Sequence, residues 1–463
     1  MGTSVRQTDV VVVGAGMAGL VAAVEAQQHG RDVVVLEKGN RAGGSMYLSA
    51  GIVYTYDSYE RVREDIPHGD PGLQQLIVER KDGDIEWLAE LGVALREPTG
   101  DVTFGSGKQL DPKPFTERMV GLIEDAGGDV LLETPMTGLL ENEGTVVGVT
   151  VADGAAGTTR IEADSVILAT GGFQGDETLV EQFVSDTPEH VWLRSNPWST
   201  GDGLRTATAL GAKTTKGMGT FYGHNLPAPP AEIPPSKLLD AKQAYGVKAV
   251  AIDRNGDRYA DESGSPYEVV LTQETASEAD GRAYYVVDQE LYDSQFVSRQ
   301  VSTSIATAAE LGGRVASASS LAELESKLFE WGVNGERAVD TLMTFNAAVE
   351  KGEGRRLDPP RRNHQTPIDT PPFHVVEVQP GITFTMGGLD VTQEMNVLRR
   401  AGTSSMLPYH PENVSEIRMS HIPGLYAAGV DVGNIMHRQY MGGLSVALVT
   451  GRVAGRNAAA EAQ

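Results

Sequence analysis

Four consecutive valines, Val10 to Val13, run into Gly14-Ala15-Gly16-Met17-Ala18-Gly19, and a second apolar run, Val33-Val34-Val35-Leu36, ends in Glu37. Short unbroken apolar runs bounded by turn residues are the pattern of strands buried on both faces, and the stretch between them has helical composition. The opening therefore predicts a strand, a glycine turn, a helix and a parallel strand over residues 8–38. Apolar spacing of three and four predicts amphipathic helices over 72–95 and 113–127, and short alternating segments at 129–151 and 158–163 predict a strand meander. Another buried strand is expected at Ser165-Val166-Ile167-Leu168, entering Ala169-Thr170-Gly171-Gly172, and Gly201-Asp202-Gly203 opens a further helix. The proline-rich stretch 225–236 breaks this regularity and marks a domain crossing. Beyond it, 237–365 mixes strands with amphipathic helices at 320–332 and 335–350, and the alanine-rich segment 442–461 reads as a final helix.

Alternation of strands and helices predicts an α/β fold that opens with a Rossmann-like unit, and 237–365 reads as a separate unit. The glycine spacing has a physical reading. Gly14 permits the tight turn, Gly16 lets a pyrophosphate approach the backbone, and Gly19 lets helix and strand pack closely. The helix N-terminus then faces the phosphates, and Glu37, about twenty residues on, is placed to accept from a ribose diol. A dinucleotide cofactor is expected here.

Composition narrows the partners. The chain has 463 residues, 38 basic against 63 acidic, for a net charge of −25, and no cysteine. A field of that sign repels nucleic acid and anionic membrane. Lack of cysteine removes disulfides, thiolate metal sites and iron–sulfur clusters. No histidine pair has metal-ligand spacing and no apolar run nears 18 residues, so no metal and no membrane insertion are expected. The N-terminal residues lack a signal-peptide core, and the cytoplasm is the expected compartment.

Several motifs, in order, resemble the flavoprotein family of fumarate reductases, succinate dehydrogenase flavoprotein subunits and 3-ketosteroid dehydrogenases. They are Gly14 to Gly19, Glu37-Lys38, Gly43-Gly44-Ser45 with Ser49, Ala169-Thr170-Gly171-Gly172, Gly201-Asp202-Gly203, Gly256-Asp257-Arg258-Tyr259 with Glu262, Thr385-Met386-Gly387-Gly388 and Gly429. The resemblance implies FAD, a Rossmann-like flavin domain in two parts, 1–228 and 369–463, a smaller α+β cap inserted at 229–368, and a substrate that exchanges a hydride with flavin N5. Family correspondence assigns cofactor contacts to Gly14, Gly16, Ala18, Gly19, Glu37, Lys38, Gly43, Gly44, Ser45, Ser49, Gly51, Met136, Thr170, Gly171, Asp202, Gly429, Asp431, Leu444 and Ser445. Members with covalent flavin carry a histidine in the small-residue segment. Residues 41–51 contain none, so FAD is expected to be non-covalent. After the Ala428-Gly429 pair this chain has Val430 and Asp431 where the family often has Glu or Asn.

The resemblance also separates two branches. Fumarate reductases carry a proton-delivering arginine where this chain has Arg258 to Tyr267, a histidine where it has Phe384, and an Asn-Arg-x-Gly-Gly segment near the C-terminus. Here Met436-His437-Arg438-Gln439-Tyr440-Met441-Gly442-Gly443 looks instead like the ketosteroid pattern. By that correspondence Tyr267 is the proton-abstracting base and Tyr440 donates to the ketone oxygen, helped by a backbone N–H around Gly443-Leu444. His224, Phe384 and Arg438 are the further substrate-facing candidates. An enolate collects charge on oxygen, so a donor aimed there lowers the barrier, whereas dicarboxylate reduction calls for fixed positive charge. The reaction expected is FAD-dependent α,β-desaturation of a cyclic ketone, a 3-ketosteroid or a smaller ring such as an oxocyclohexane carboxylate. Its electron acceptor is unidentified, of oxygen or quinone type. The alternative is a fumarate-reductase-like reductase or dehydrogenase of a di- or tricarboxylate.

Overall fold

The computed structural model describes residues 5–99, 102, 104–153, 157–265, 267–400 and 421–462, and forms two compact units. Unit one comprises Met1–Asp176, Asn196–Met218 and Phe384–Gln463; unit two comprises Glu177–Ser195 and Gly219–Thr383. The proline-rich stretch thus lies inside the second unit, and the strand Phe221–Pro227 already precedes it there.

The first unit is built on an eight-stranded sheet. Its parallel core runs His421–Ala427, Gly157–Leu168, Val5–Val13, Val33–Leu36, Asp129–Leu131. Val10, Val11 and Val12 are fully buried at its centre, as an unbroken apolar run requires. The strands Met136–Asn142 and Thr145–Asp153 add an antiparallel meander to Gly157–Leu168. Strand Val5–Val13 lies between two parallel neighbours, so the chain emerges at its C-terminal end where the strand order reverses. Ligands of open α/β sheets bind in that position.

Two helices that begin and end the chain pack unusually closely. Helix Met17–Gln28 meets helix Gly443–Glu461 through Gly451 and Gly455. A β-carbon at Gly451 would lie 2.5 Å from the Ala18 carbonyl oxygen, and one at Gly455 would lie 2.3 Å from that of Ala22. A buried ion network fastens the same pair. Arg452 donates to Glu25 at 2.8 Å and to Asp84 at 2.6 Å, and stacks on Trp87 at 4.3 Å. Arg456 adds a second cation to Glu25, at 2.8 Å. Burial pushes the Glu25 carboxyl up, but these arginines bring it below the usual range.

The second unit is a six-stranded, largely antiparallel sheet with helices on both faces. Along strand Ala283–Val287 the side chains alternate. Tyr284 and Val286 join a core with Leu328, Leu342 and Phe345, while Tyr285 and Val287 join one with Leu271 and Ile305. The Arg258 and Glu262 of the sequence motif are structural here. Glu262 accepts from Arg258 at 2.6 Å and from Arg361 at 3.0 Å, all three buried.

Gly455→Val is expected to lower stability by about 1–3 kcal/mol through overpacking against the Ala22 carbonyl. Gly83→Ala, in helix Pro71–Glu90 with nothing within 4 Å of the added carbon, is expected to raise it by about 0.5–1 kcal/mol. Thermal and denaturant unfolding of the two variants should move in opposite directions.

Candidate active site

The first unit builds a cradle at the C-terminal end of its central strand. Gly14, at φ +109°, donates to the Leu36 carbonyl at 2.7 Å, and Ala169 donates to Val13 at 2.8 Å. A β-carbon on Gly14 would sit 2.2 Å from the Ala169 oxygen, and one on Gly19 would sit 1.8 Å from the Gly14 oxygen. Both glycines are thus required by neighbouring backbone. Gly16 differs: an added β-carbon meets only the Gly44 Cα, at 3.9 Å. That contact is an ordinary van der Waals distance, so the backbone at Gly16, at the first turn of helix Met17–Gln28, leaves room that suits a pyrophosphate.

Glu37 is buried and ties this cradle together. Its two carboxylate oxygens accept from the Ala15 N–H at 3.0 Å and the Gly39 N–H at 2.7 Å. Each oxygen keeps a lone pair for a ribose hydroxyl. Gly43 donates to the Ala15 carbonyl at 2.8 Å, which folds the small-residue segment back onto the turn as the short 3-10 helix Gly44–Leu48. Ser45 Oγ accepts from Asn196 Nδ2 at 2.7 Å. Ser49 Oγ accepts from Gly51 N at 3.0 Å, and Gly51, at φ +70°, abuts the Leu110 carbonyl.

Other expected cofactor residues have partners within the protein. Lys38 Nζ donates to Asp202 Oδ2 at 2.7 Å and also to Thr200. The Asp431 carboxylate is buried and accepts from the Thr170 N–H, from Thr170 Oγ1 at 2.9 Å and from the Gly172 N–H at 3.4 Å. Burial pushes that carboxyl up to about 6, against the pull of those donors. Asp431 therefore anchors the turn after strand Gly157–Leu168, in which Gly171 sits at φ +91°. Gly429 donates to Thr450 Oγ1 at 2.8 Å, and Met136 is a buried strand residue. Leu444 is half-buried in the first turn of the last helix. Beside it, Ser445 Oγ is buried without a protein partner, as is Arg41 Nη1 near the small-residue segment. An open glycine, two donor-lined turns and orphaned buried polar atoms fit FAD.

Five aromatic rings gather in the same unit. Tyr440 lies 6.1 Å from Tyr54, 6.0 Å from Phe104 and 6.2 Å from Phe384, and Tyr56 stacks on Phe104 at 4.2 Å. The Gly443 N–H, expected to reach substrate directly, instead donates to the Tyr440 hydroxyl oxygen at 2.9 Å. That bond polarises the phenol, making its own O–H a better donor. Arg438, two residues before, adopts φ +63°, a conformation an arginine holds only under tertiary constraint.

The second unit carries the remaining candidates. Tyr267 is half-buried and its N–H donates to Ser265 Oγ at 3.3 Å. His224 is held on both ring nitrogens: Nδ1 is 2.9 Å from Glu268 Oε1, and Nε2 is 3.0 Å from the Tyr222 hydroxyl. Burial, with Arg194 and Lys242 nearby, holds the imidazole well below its usual pKa. Neutral and doubly bonded, His224 is a poor carboxylate anchor.

Sequence reading missed Asn196, Arg41, Tyr222 and Glu268. Two of these had a visible signal. Tyr222 precedes His224 by two on a strand, which places both on one face, and Glu268 directly follows Tyr267. Asn196 and Arg41 had none: the Asn196 bond to Ser45 joins segments about 150 residues apart, and nothing in the spacing of Arg41 marks its orphaned Nη1.

The fold agrees with comparisons to known proteins. The FAD binding domain family matches residues 9–445, and the chain belongs to that family. The NADH:fumarate oxidoreductase of Klebsiella pneumoniae (strain 342) is 29% identical, matching 99% of this chain and 48% of its own length, so this chain spans about half of that relative. The urocanate reductase of Eggerthella lenta is 28% identical over 98% of this chain and 74% of its own. The 4-oxocyclohexanecarboxylate 2-dehydrogenase of Sinomonas cyclohexanicum is 23% identical over 96% and 94%. Among solved structures, 3-ketosteroid-Δ4-(5α)-dehydrogenase from Rhodococcus jostii RHA1 superposes with TM-score 0.70 at 22% identity, covering 98% of this chain and 97% of that one. No helix among the described residues is long and apolar enough to cross a membrane.

Gly16→Val is expected to keep the apoprotein's unfolding temperature but to abolish FAD uptake. Gly19→Val is expected to lower that temperature as well. Flavin absorbance after reconstitution, beside thermal unfolding of the apoprotein, separates the two.

Proposed function

We propose that this chain uses non-covalently held FAD to desaturate a cyclic ketone between the carbons α and β to the carbonyl. The observation that carries this reading is the Tyr440 hydroxyl, polarised by the Gly443 N–H and set among Tyr54, Phe104 and Phe384. A polarised phenol in apolar surroundings suits an oxygen that gains charge as an enolate forms. Aromatic faces suit a flat ring and exclude water, which strengthens that hydrogen bond. FAD, when bound, supplies the two-electron acceptor that no side chain offers.

Within this reading Tyr440 binds the carbonyl oxygen and Tyr267 takes the α-proton. Phe384 stands where a dicarboxylate enzyme of the family would place a histidine, so that wall offers packing in place of charge. The dehydrogenase relative acting on an oxocyclohexane carboxylate supports a small ring, for which Arg438 is the natural partner of the carboxylate. The electron acceptor is oxygen or a quinone-type molecule.

The second reading is reduction of a conjugated double bond, favoured by the reductases among the relatives. A di- or tricarboxylate substrate suits it less, because His224 is neutral and doubly engaged. A panel of saturated cyclic ketones, enones and unsaturated acids decides between them. Anaerobic bleaching of the oxidised flavin by saturated ketones supports desaturation; rapid reoxidation of the reduced flavin by unsaturated acids alone would replace it. Tyr440→Phe is expected to slow ketone-driven bleaching by about 100-fold or more, as loss of one oxyanion donor does, with flavin binding unchanged.

A further inference from the structure

Lys81 lies in the middle of helix Pro71–Glu90, in the first unit, and its side chain is 2% exposed. A lysine is almost never fully buried unless its charge is paired. Here the ammonium has three protons and three acceptors. It donates to Asp57 Oδ1 at 2.6 Å, to Ser106 Oγ at 2.9 Å and to the Ser106 carbonyl at 3.3 Å. Ser106 Oγ donates in turn to Asp57 Oδ1. Burial pushes the Asp57 carboxyl up, but Lys81 and Ser106 bring it below its usual range. One buried cation thus joins a helix to two points that lie 49 residues apart in the chain.

Those two points lie at one end of a two-stranded sheet. Strand Ile52–Thr55 pairs antiparallel with Ser106–Gln109, with Thr55 opposite Ser106. Such a sheet is marginal by itself. Glycine weakens it further. Added β-carbons at Gly105 and Gly107 would lie 1.9 and 2.0 Å from the Thr55 and Val53 carbonyl oxygens, so backbone lies on backbone with no side chain at those positions to hold it. The sheet nevertheless carries much of the aromatic cluster. Tyr54, Tyr56 and Phe104 stand on or beside it, with Phe104 at 5.1 Å from Tyr54 and 4.2 Å from Tyr56. Its first strand also seats the segment that follows Tyr440. Thr55 Oγ1 donates to the Met441 carbonyl, and a β-carbon on Gly442 would lie 1.9 Å from the Tyr54 oxygen.

We propose that Lys81 is the positioning residue of the aromatic wall around Tyr440. By fixing Asp57 and Ser106 it sets Tyr56 and Phe104, one and two residues away, and Phe104 lies 6.0 Å from Tyr440. The proposal rests on the reading that Tyr440 binds the carbonyl oxygen of the substrate. A wall held in place keeps water from that hydrogen bond and so strengthens it. A loosened wall admits water and lets the phenol turn, which slows the reaction while FAD stays bound. Replacing Lys81 by methionine removes the tie and leaves an unbranched apolar chain in its place. Asp57 and Asp82, the carboxylates beside the ammonium, are 56% and 79% exposed, so neither is left as a buried unpaired charge. The substitution therefore perturbs position more than folding.

Fluorine NMR of holoprotein labelled with 4-fluorophenylalanine reads the wall directly, the Phe104 signal being the one lost in Phe104→Leu. Exchange of H2O for D2O shifts a fluorine signal according to its contact with solvent. Lys81→Met should enlarge that shift at Phe104, with flavin content unchanged. Ketone-driven flavin reduction is then followed at saturating substrate. Lys81→Met should slow it by about 10-fold or more, as small misplacements of reacting groups do. In a Tyr440→Phe background the same substitution should change the rate by less than about twofold, because both act through one hydrogen bond. A role in stability alone would add its effect to that of Tyr440→Phe. Ser106→Ala, at an exposed position, removes one of the three acceptors and should move both readings the same way by less. A Phe104 signal that stays unmoved in Lys81→Met or, should that variant fail to fold, in Ser106→Ala overturns the proposal, as do additive rate effects. If no ketone of the panel reduces the wild-type flavin, the functional reading fails, and the fluorine signal still decides whether Lys81 holds the wall.

Discussion

Glu37 is a single buried carboxylate that holds two loops in register. One of its oxygens takes the Ala15 N–H inside the glycine turn, the other takes the Gly39 N–H beyond the second strand. Charge-assisted bonds of this kind, shielded from water, are about twice as strong as neutral ones. The close approach they enforce brings the Ala15 carbonyl within reach of Gly43, and so folds the small-residue segment over the turn. The residue that reads the ribose in such folds here also builds the site.

The rest of the first unit supports that point from behind. Helix Met17–Gln28 can aim its N-terminus only if it lies close to the sheet and to the last helix, and Gly19, Gly451 and Gly455 supply those close approaches. The Glu25, Asp84, Arg452 and Arg456 cluster then fixes the helix pair laterally. Because breaking a buried pair leaves an uncompensated charge, such a cluster specifies one packing as much as it stabilises it. The second unit uses the same device, with Glu262 between Arg258 and Arg361. A motif that reads in sequence as part of a reactive segment proves to be a buried brace.

Much of this architecture is legible in the sequence because it rests on local periodicity. Four valines and the Gly14 to Glu37 spacing specify the βαβ unit, and the apolar stripes at 335–350 and 442–461 correspond closely to helices Gly335–Glu350 and Gly443–Glu461. The glycines were also legible, since positive φ and close contact exclude other residues. Charged candidates were less so. Lys38, Asp202 and Asp431 carry the right chemistry for a cofactor, yet Lys38 pairs with Asp202, and Asp431 accepts from the Thr170 and Gly172 amides and the Thr170 hydroxyl after strand Gly157–Leu168. A charge is visible in sequence; its partner is not.

By itself the sequence determined that a dinucleotide is held at a strand–turn–helix junction, and the resemblance carried by its later glycine motifs made that dinucleotide FAD. Both follow from short-range constraints on backbone, to which residue type and spacing are sufficient guides. Only tertiary structure decided what the candidate side chains do. It spent the Gly443 N–H on Tyr440, neutralised His224 between Tyr222 and Glu268, and left Gly16 open while filling the space at Gly14 and Gly19. Hydrogen-bond partners and burial are set by segments far apart in the chain, and these determine whether a hydroxyl or imidazole anchors, shuttles a proton or braces the fold.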